Sequence, residues 1–323
     1  MTLQNLPQLM SVGHKIDTSP EHFGFLRVTD PVLSEDGNAL RDRLEEDGYL
    51  YLPGLLDREE VRNARLSVLE QAQSEGLLDP DSPLIDGILR ENTNAPFLPA
   101  YAESNAALLH ILYGKEQPLM RLFGSFYGAP VRHFDFTWMR LVGPGKGTAP
   151  HCDVVFMGRG THNLLTAWTP LGDVPLPVGG LMVLENSHRV SSQPLNDYLQ
   201  QDVDSYCENG PNAAKVRSGE MRWEHYDGSF NNWGGDITDN PVALRETLGG
   251  RWLTAEEYRM GDVLVFTVRT IHASLDNQTR ALRLSTDTRY QRADEPADER
   301  WVAGPDGAAP SRHGLVSKRG RIC

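Results

Sequence analysis

The stretch GDVLVFTVRTIHASLDNQTRALRLSTD, Gly261 to Asp287, reads as two apolar β segments around one polar turn. The first is rich in Val and Phe and runs into His272; Asp276 and Asn277 then supply turn chemistry. The second carries Arg283 between Leu282 and Leu284. Runs of β-branched and aromatic residues bounded by Gly, Asp and Asn predict strands. An arginine between leucines on such a segment either points out to water or pairs with an anion inside, and a guanidinium suits a carboxylate. The same texture starts near residue 133 and recurs in HFDFTWMRLV, LTAWTPL and GGLMVLE, with Gly and Pro turns between. Many short strands of this kind predict a β-sandwich or barrel.

Upstream of the β region the pattern is helical. SEDGNALRDRLEEDG predicts a helix capped at Ser34 and stopped at Gly48, and YLYLPGLL after it a short apolar strand. DREEVRNARLSVLEQAQSEG opens with Asp57 and has Glu60 three residues on, a capping-box pattern. Val61, Ala64, Val68, Leu69 and Ala72 then fall on one face, and Gly76 closes the helix. Two more helices are expected at 103–113 and 115–127. We therefore read one domain over 1–323, mainly β with flanking helices: N-terminal helices at about 34–128, a β core at about 133–292, and a tail at 293–323 rich in Pro, Gly and charge. Residues 190–256 interrupt the core with a polar stretch rich in Asn, Asp and Gly, and no internal repeat is found.

Composition excludes several classes. With 323 residues and 39% hydrophobic content the chain has material for a large core. A net charge of -13 makes it a poor partner for nucleic acid or anionic membrane, so neither is expected. No apolar run is long enough to span a bilayer, and the first residues lack a signal-peptide pattern, so a cytoplasmic location is expected. The three cysteines, Cys152, Cys207 and Cys323, are far apart and form no CxxC pattern, which argues against a disulfide framework or a cysteine zinc site.

The stretch TAPHCDVVF, Thr148 to Phe156, holds His151 and Asp153 two residues apart. In an extended segment these side chains share a face, and Cys152 points the other way. The pair is open to two readings: a histidine hydrogen-bonded to an aspartate in a turn, or two ligands of a metal. A core-facing carboxylate beside an imidazole is costly without a partner such as a divalent cation. Two ligands hold a metal poorly, and His272, at the end of an apolar strand, is the natural third. Ser274, two residues beyond, shares its face and offers a hydroxyl.

Two histidines and one carboxylate with positions left open form the facial triad of non-haem Fe(II) oxygenases. With these residues together, the chain resembles the phytanoyl-CoA dioxygenase family of Fe(II)/2-oxoglutarate-dependent oxygenases. EEDGYLYLPGLLDREEV resembles the family's helix–strand–helix opening, and TAWTPLGDVPLPVGGLMVLENSHR its tryptophan strand and Gly-Ser-His turn. The resemblance covers roughly 35–190 and 256–292 and implies a double-stranded β-helix, the cupin-like jelly roll. It implies Fe(II) on His151, Asp153 and His272, with 2-oxoglutarate and O2 as co-substrates. Arg283, eleven residues past His272, would hold the distal carboxylate of 2-oxoglutarate, with Ser274 beside it and Trp168 lining the pocket. The implied reaction is oxidation, above all hydroxylation, of an unactivated C–H bond, with succinate and CO2 as co-products. Related halogenases lack the carboxylate, so Asp153 argues for hydroxylation or another oxidation. The chain departs from the family pattern at Asn186, which stands where Gly is usual before Ser-His, and in its long 190–256 insertion.

Rival readings keep the residues but change the chemistry. A metal-dependent hydrolase or isomerase on a cupin-like barrel would leave Arg283 without a role, and a non-catalytic binding protein would need neither the triad nor the arginine. GPGKGT, Gly143 to Thr148, fails the phosphate-loop pattern, since Arg140 stands at the first glycine position, and is read as a turn. Arg140, on the strand before the HxD turn, either meets an acidic substrate or faces outward, and so is a candidate contact for the small-molecule substrate. So are Trp223, Tyr226, Asn231 and Trp233 in MRWEHYDGSFNNWGG, which reads as a lid or as a solvated decoration.

Overall fold

The computed structural model describes residues 6–95, 100–203 and 235–303. The first part of the chain holds strands β1 (Met10–Ser11), β2 (His14–Lys15) and β3 (Phe23–Phe25). Helix α1 (Gly37–Asp47), strand β4 (Tyr49–Leu52) and helix α2 (Arg58–Ser74) follow, then α3 (Ala100–Glu103), α4 (Ala106–Tyr113) and α5 (Pro118–Tyr127). The core begins with β5 (Val131–His133) and β6 (Trp138–Val142), the short helix α6 (Val154–Met157), β7 (Leu164–Pro170), β8 (Val174–Pro175) and β9 (Leu181–Leu184). After α7 (Gln193–Leu199) and α8 (Pro241–Leu248) come β10 (Trp252–Thr254), β11 (Glu257–Tyr258), β12 (Val263–Thr267), β13 (His272–Ser274) and β14 (Arg283–Arg292).

Two sheets make the core. The larger runs β4-β12-β7-β14-β5, with β6 also paired to β14, and every pairing is antiparallel. The smaller runs β13-β9-β10-β3, antiparallel except for the parallel β10–β3 pair. This is a double-stranded β-helix, with α1 to α5 packed on the larger sheet and α6 to α8 in the apolar cluster outside the smaller one. Because side chains alternate along a strand, each larger-sheet strand has two buried faces with different neighbours. Leu50, Leu52, Val263, Val265, Leu284 and Tyr290 pack under the helices. Tyr49, Tyr51, Trp168, Leu264 and Phe266 face inward and meet Leu181, Val183 and Leu253 of the smaller sheet.

Local chemistry explains the covering helices. The Asp57 carboxylate accepts the Glu60 amide (2.9 Å) at the start of α2, and Val61, Ala64, Val68, Leu69 and Ala72 are all fully buried. Such a cap contributes about 1 kcal/mol, whereas truncating a buried Leu costs about 2–5 kcal/mol, so packing decides that α2 forms here. Helix α1 is capped by Asp36, not Ser34: Pro31–Glu35 make a 3-10 turn, and the Asp36 side chain accepts the Asn38 and Ala39 amides. Gly48 ends α1 at φ 77, and a Cβ there would lie 2.2 Å from His188 Nδ1. Only glycine meets both demands.

Three segments set outside the β core by the sequence, those of β3, β4 and β10, supply strands to it. β10 falls within 190–256 and pairs with both β9 and β3, while β4 lies among the N-terminal helices and pairs with β12. No helix among the described residues is long and apolar enough to cross a membrane.

Candidate active site

The smaller sheet brings the two histidines together. His151 and His272 exchange backbone hydrogen bonds (3.0 and 3.1 Å), and their rings lie 4.2 Å apart. Asp153 reaches them differently from the sequence reading. It is not on a strand: its backbone is helical (φ -64, ψ -24) and it starts α6. The chain turns after Cys152, which points away into the apolar layer outside the smaller sheet, and the Asp153 carboxylate swings back toward the histidines. Asp153 Oδ1 stands 4.0 Å from His151 Nε2 and 3.9 Å from His272 Nε2. One ligand atom from each residue lies within 4.8 Å of the others, and all three side chains are buried.

The hydrogen-bond pattern orients these groups. His151 Nδ1–H donates to the Ala149 carbonyl (2.8 Å) and His272 Nδ1–H to the Thr270 carbonyl (3.0 Å). A carbonyl only accepts, so both Nδ1 atoms carry the proton and both Nε2 atoms turn a lone pair to the centre. Burial, and then the neighbouring His272, push the His151 imidazolium down to about 4; burial also lowers His272. Both rings are therefore neutral at neutral pH, as metal ligation requires. Asp153 Oδ2 accepts hydrogen bonds from the Thr166 hydroxyl and from Arg289 Nη2 (2.9 Å), which leaves Oδ1 for the centre. Burial opposes ionisation of Asp153, but Arg289, then the two histidines, and the Thr166 hydroxyl outweigh it and hold the carboxyl well below its usual range.

Strand β14 lines the adjoining interior. Arg283, Ser285, Asp287, Arg289 and Gln291 occupy every second position and are all buried. Arg283 therefore faces inward, 1% exposed, and Nη1–H donates to the Gly179 carbonyl (2.6 Å). Burial, then the nearby Arg140, pull its guanidinium down to about 10, so it remains charged at neutral pH. No carboxylate among the described residues forms an ion pair with it, and its Nε–H has no partner there. A buried cation in this state demands an anion. Trp168 Nε1–H and the Ser285 hydroxyl are likewise buried without a partner among the described residues. Unsatisfied buried donors of this kind mark a place for a polar ligand, and a dicarboxylate beside a divalent cation fits the set. Ser274, on the same face of β13 as His272, accepts the Thr148 amide (2.8 Å) and keeps its own proton for a further acceptor.

The remaining sequence candidates fare differently. Arg140 faces Asp287 and donates to it through Nε, so it does not point outward, and that donor is committed within the protein. Trp223, Tyr226, Asn231 and Trp233 lie outside the described residues. Asn186 sits at φ 59 in the turn before Ser187, whose hydroxyl accepts the Ile271 amide (2.9 Å); the Ser-His pair there is structural. The sequence reading missed Arg289 and Thr166 as partners of Asp153. The available signal was the alternation in RLSTDTRYQR, which puts Arg289 on the same face as Arg283.

Comparison with known proteins agrees with this geometry. Residues 44–285 match the family model described as phytanoyl-CoA dioxygenase. The chain is 26% identical over 301 residues to 1-deoxypentalenic acid 11-beta-hydroxylase of Streptomyces exfoliatus, covering 88% of this chain and 92% of the relative. Two solved structures share the fold. EctD from S. alaskensis in its apo form has a TM-score of 0.52 at 16% identity, over 90% of this chain and 88% of that one. The epimerase SnoN, solved with Fe3+, alpha-ketoglutarate and nogalamycin RO, has a TM-score of 0.50 at 21% identity, over 88% of each chain.

Proposed function

The chain belongs to the phytanoyl-CoA dioxygenase family of iron- and 2-oxoglutarate-dependent oxygenases, and on that premise we propose that it hydroxylates an unactivated C–H bond of a small organic molecule. The convergence of three buried ligand atoms within 4.8 Å carries this reading. His151 and His272 present neutral Nε2 atoms, Asp153 presents Oδ1, and this donor set suits Fe(II) with positions left open. Arg283 anchors the distal carboxylate of 2-oxoglutarate, and Trp168 and Ser274 flank it. When bound, iron and 2-oxoglutarate would supply the oxidation with O2: one oxygen atom of O2 would end in succinate as the co-substrate loses CO2, and the other would enter the substrate C–H bond. The residues of the chain position and shield. Phe266 packs on the His272 ring (4.5 Å between centroids) and Phe156 against His151 (5.6 Å), which keeps water off the histidine faces. The intact Asp153 carboxylate argues against halogenation, and likeness to the 11-beta-hydroxylase supports hydroxylation over other oxidations.

The test is succinate formation from 2-oxoglutarate under air with Fe(II), screened against a library of small metabolites. A compound that stimulates succinate release and gains one oxygen atom by mass supports the reading. No iron-dependent turnover of 2-oxoglutarate, with or without any compound, counts against it.

A further inference from the structure

We infer that Arg289 is a positioning residue for Asp153, which it fixes so that Oδ1 alone faces His151 and His272. The inference rests on the metal-site reading above. Asp153 needs an external hold because it starts a helix and no strand pleat directs its side chain. A carboxylate also has two equivalent oxygens, and a free one can turn to chelate through both. That would consume a metal position the co-substrates need. Here Oδ2 is occupied from two sides, by Arg289 Nη2 (2.9 Å) and by the Thr166 hydroxyl. Arg289 and Thr166 are direct cross-strand partners on β14 and β7, so the sheet register delivers both donors to one oxygen.

Arg289 is itself held rigidly. It is 2% exposed, and its guanidinium lies over the Trp138 ring at 4.3 Å. Trp138 packs against Phe136 and Trp301, each at 4.7 Å between ring centroids. Its Nε–H and Nη1–H have no partner among the described residues, so no second carboxylate competes for it. The other acid on its face, Asp287, is engaged by Arg140. Arg289 and Trp301 both lie beyond residue 285, where the family match ends, so this support is read from the geometry of this chain alone.

The experiment measures Co(II) affinity by calorimetry and the Co(II) visible spectrum in the wild type and in Arg289→Met, Arg289→Lys, Thr166→Val and His272→Ala. Loss of a group that orients a metal ligand weakens binding by about 10–100-fold. We expect that loss in Arg289→Met, a changed cobalt spectrum, and partial recovery in Arg289→Lys, which keeps a charged donor. Arg289→Met that binds Co(II) as tightly as the wild type, with the same spectrum, overturns the inference. If Arg289→Met does not fold, Thr166→Val decides: weaker binding with an altered spectrum supports the shared hold on Oδ2, and wild-type behaviour overturns it. His272→Ala separates the two levels. If it binds Co(II) like the wild type, the metal-site reading itself fails, whatever Arg289 does.

Discussion

Among the arginines of the last long strand, exposure and partners decide role. Arg283 and Arg289 are both buried on one face of β14, yet one lacks any carboxylate partner among the described residues and the other is engaged by Asp153. Arg283→Ala should raise the 2-oxoglutarate requirement by the equivalent of about 2–5 kcal/mol, since a buried charge-assisted contact is lost. The substrate requirement should change far less. Equal effects on both, or none, read from initial rates, would count against the co-substrate assignment. Arg280 is the control, because its guanidinium sits near the surface on Asp79 and the Leu89 carbonyl; Arg280→Ala should leave both requirements near wild type. Truncating a proposed metal ligand should be more severe: His272→Ala should lose stoichiometric Fe(II) and turnover together. Full iron occupancy in that variant would mean that the third ligand lies elsewhere. The candidate ligand types and the spacing of His151 and Asp153 were legible in the sequence because iron chemistry admits few donor sets. The partners of Asp153 were not, because Arg289 stands 136 residues away and meets it only through sheet pairing.

At the level of the element, turns and caps set where strands begin and helices end. Asn186 holds a left-handed conformation that costs a side-chained residue about 1–2 kcal/mol, with Asn and Gly the tolerant exceptions. Asn186→Gly should therefore keep the urea midpoint close to wild type, and Asn186→Val should lose about 1–2 kcal/mol. Equal stability of the two would remove the turn from any structural role. The α2 helix was legible in its cap and apolar stripe, both local signals. The start of α1 was misplaced by two residues because Ser34 and Asp36 are both good capping residues; Pro31 at the head of a 3-10 turn leaves Asp36 as the cap. Strand β10 was hidden inside a polar stretch, since three residues carry too little periodicity to announce a strand.

Across the whole molecule, the site is a joint between sheets. His272 belongs to the smaller sheet, and Arg283, Trp168 and Thr166 to the larger. A metal and a dicarboxylate bound there tie the two layers and should stabilise the native state by about 2.7 kcal/mol at a hundredfold excess over Kd. Thermal unfolding with Co(II), then with Co(II) and 2-oxoglutarate, should show two successive rises in Tm. Arg283→Met should keep the first and lose the second; two undiminished rises would place the dicarboxylate elsewhere. The sequence by itself determined the β core and the covering helices, and it marked two histidines, an aspartate and, through the family resemblance, the arginine eleven residues past His272 as candidates. The elements are written in local period and turn chemistry, and the candidate triad in ligand type. Tertiary structure decided that Asp153 turns back from a helix start, that Arg289 and Thr166 grip one of its oxygens, that Arg140 answers Asp287, and that β3, β4 and β10 complete the sheets. Those outcomes depend on strand register between distant segments, and register is set by how both faces of each strand are buried, which no local stretch of sequence contains.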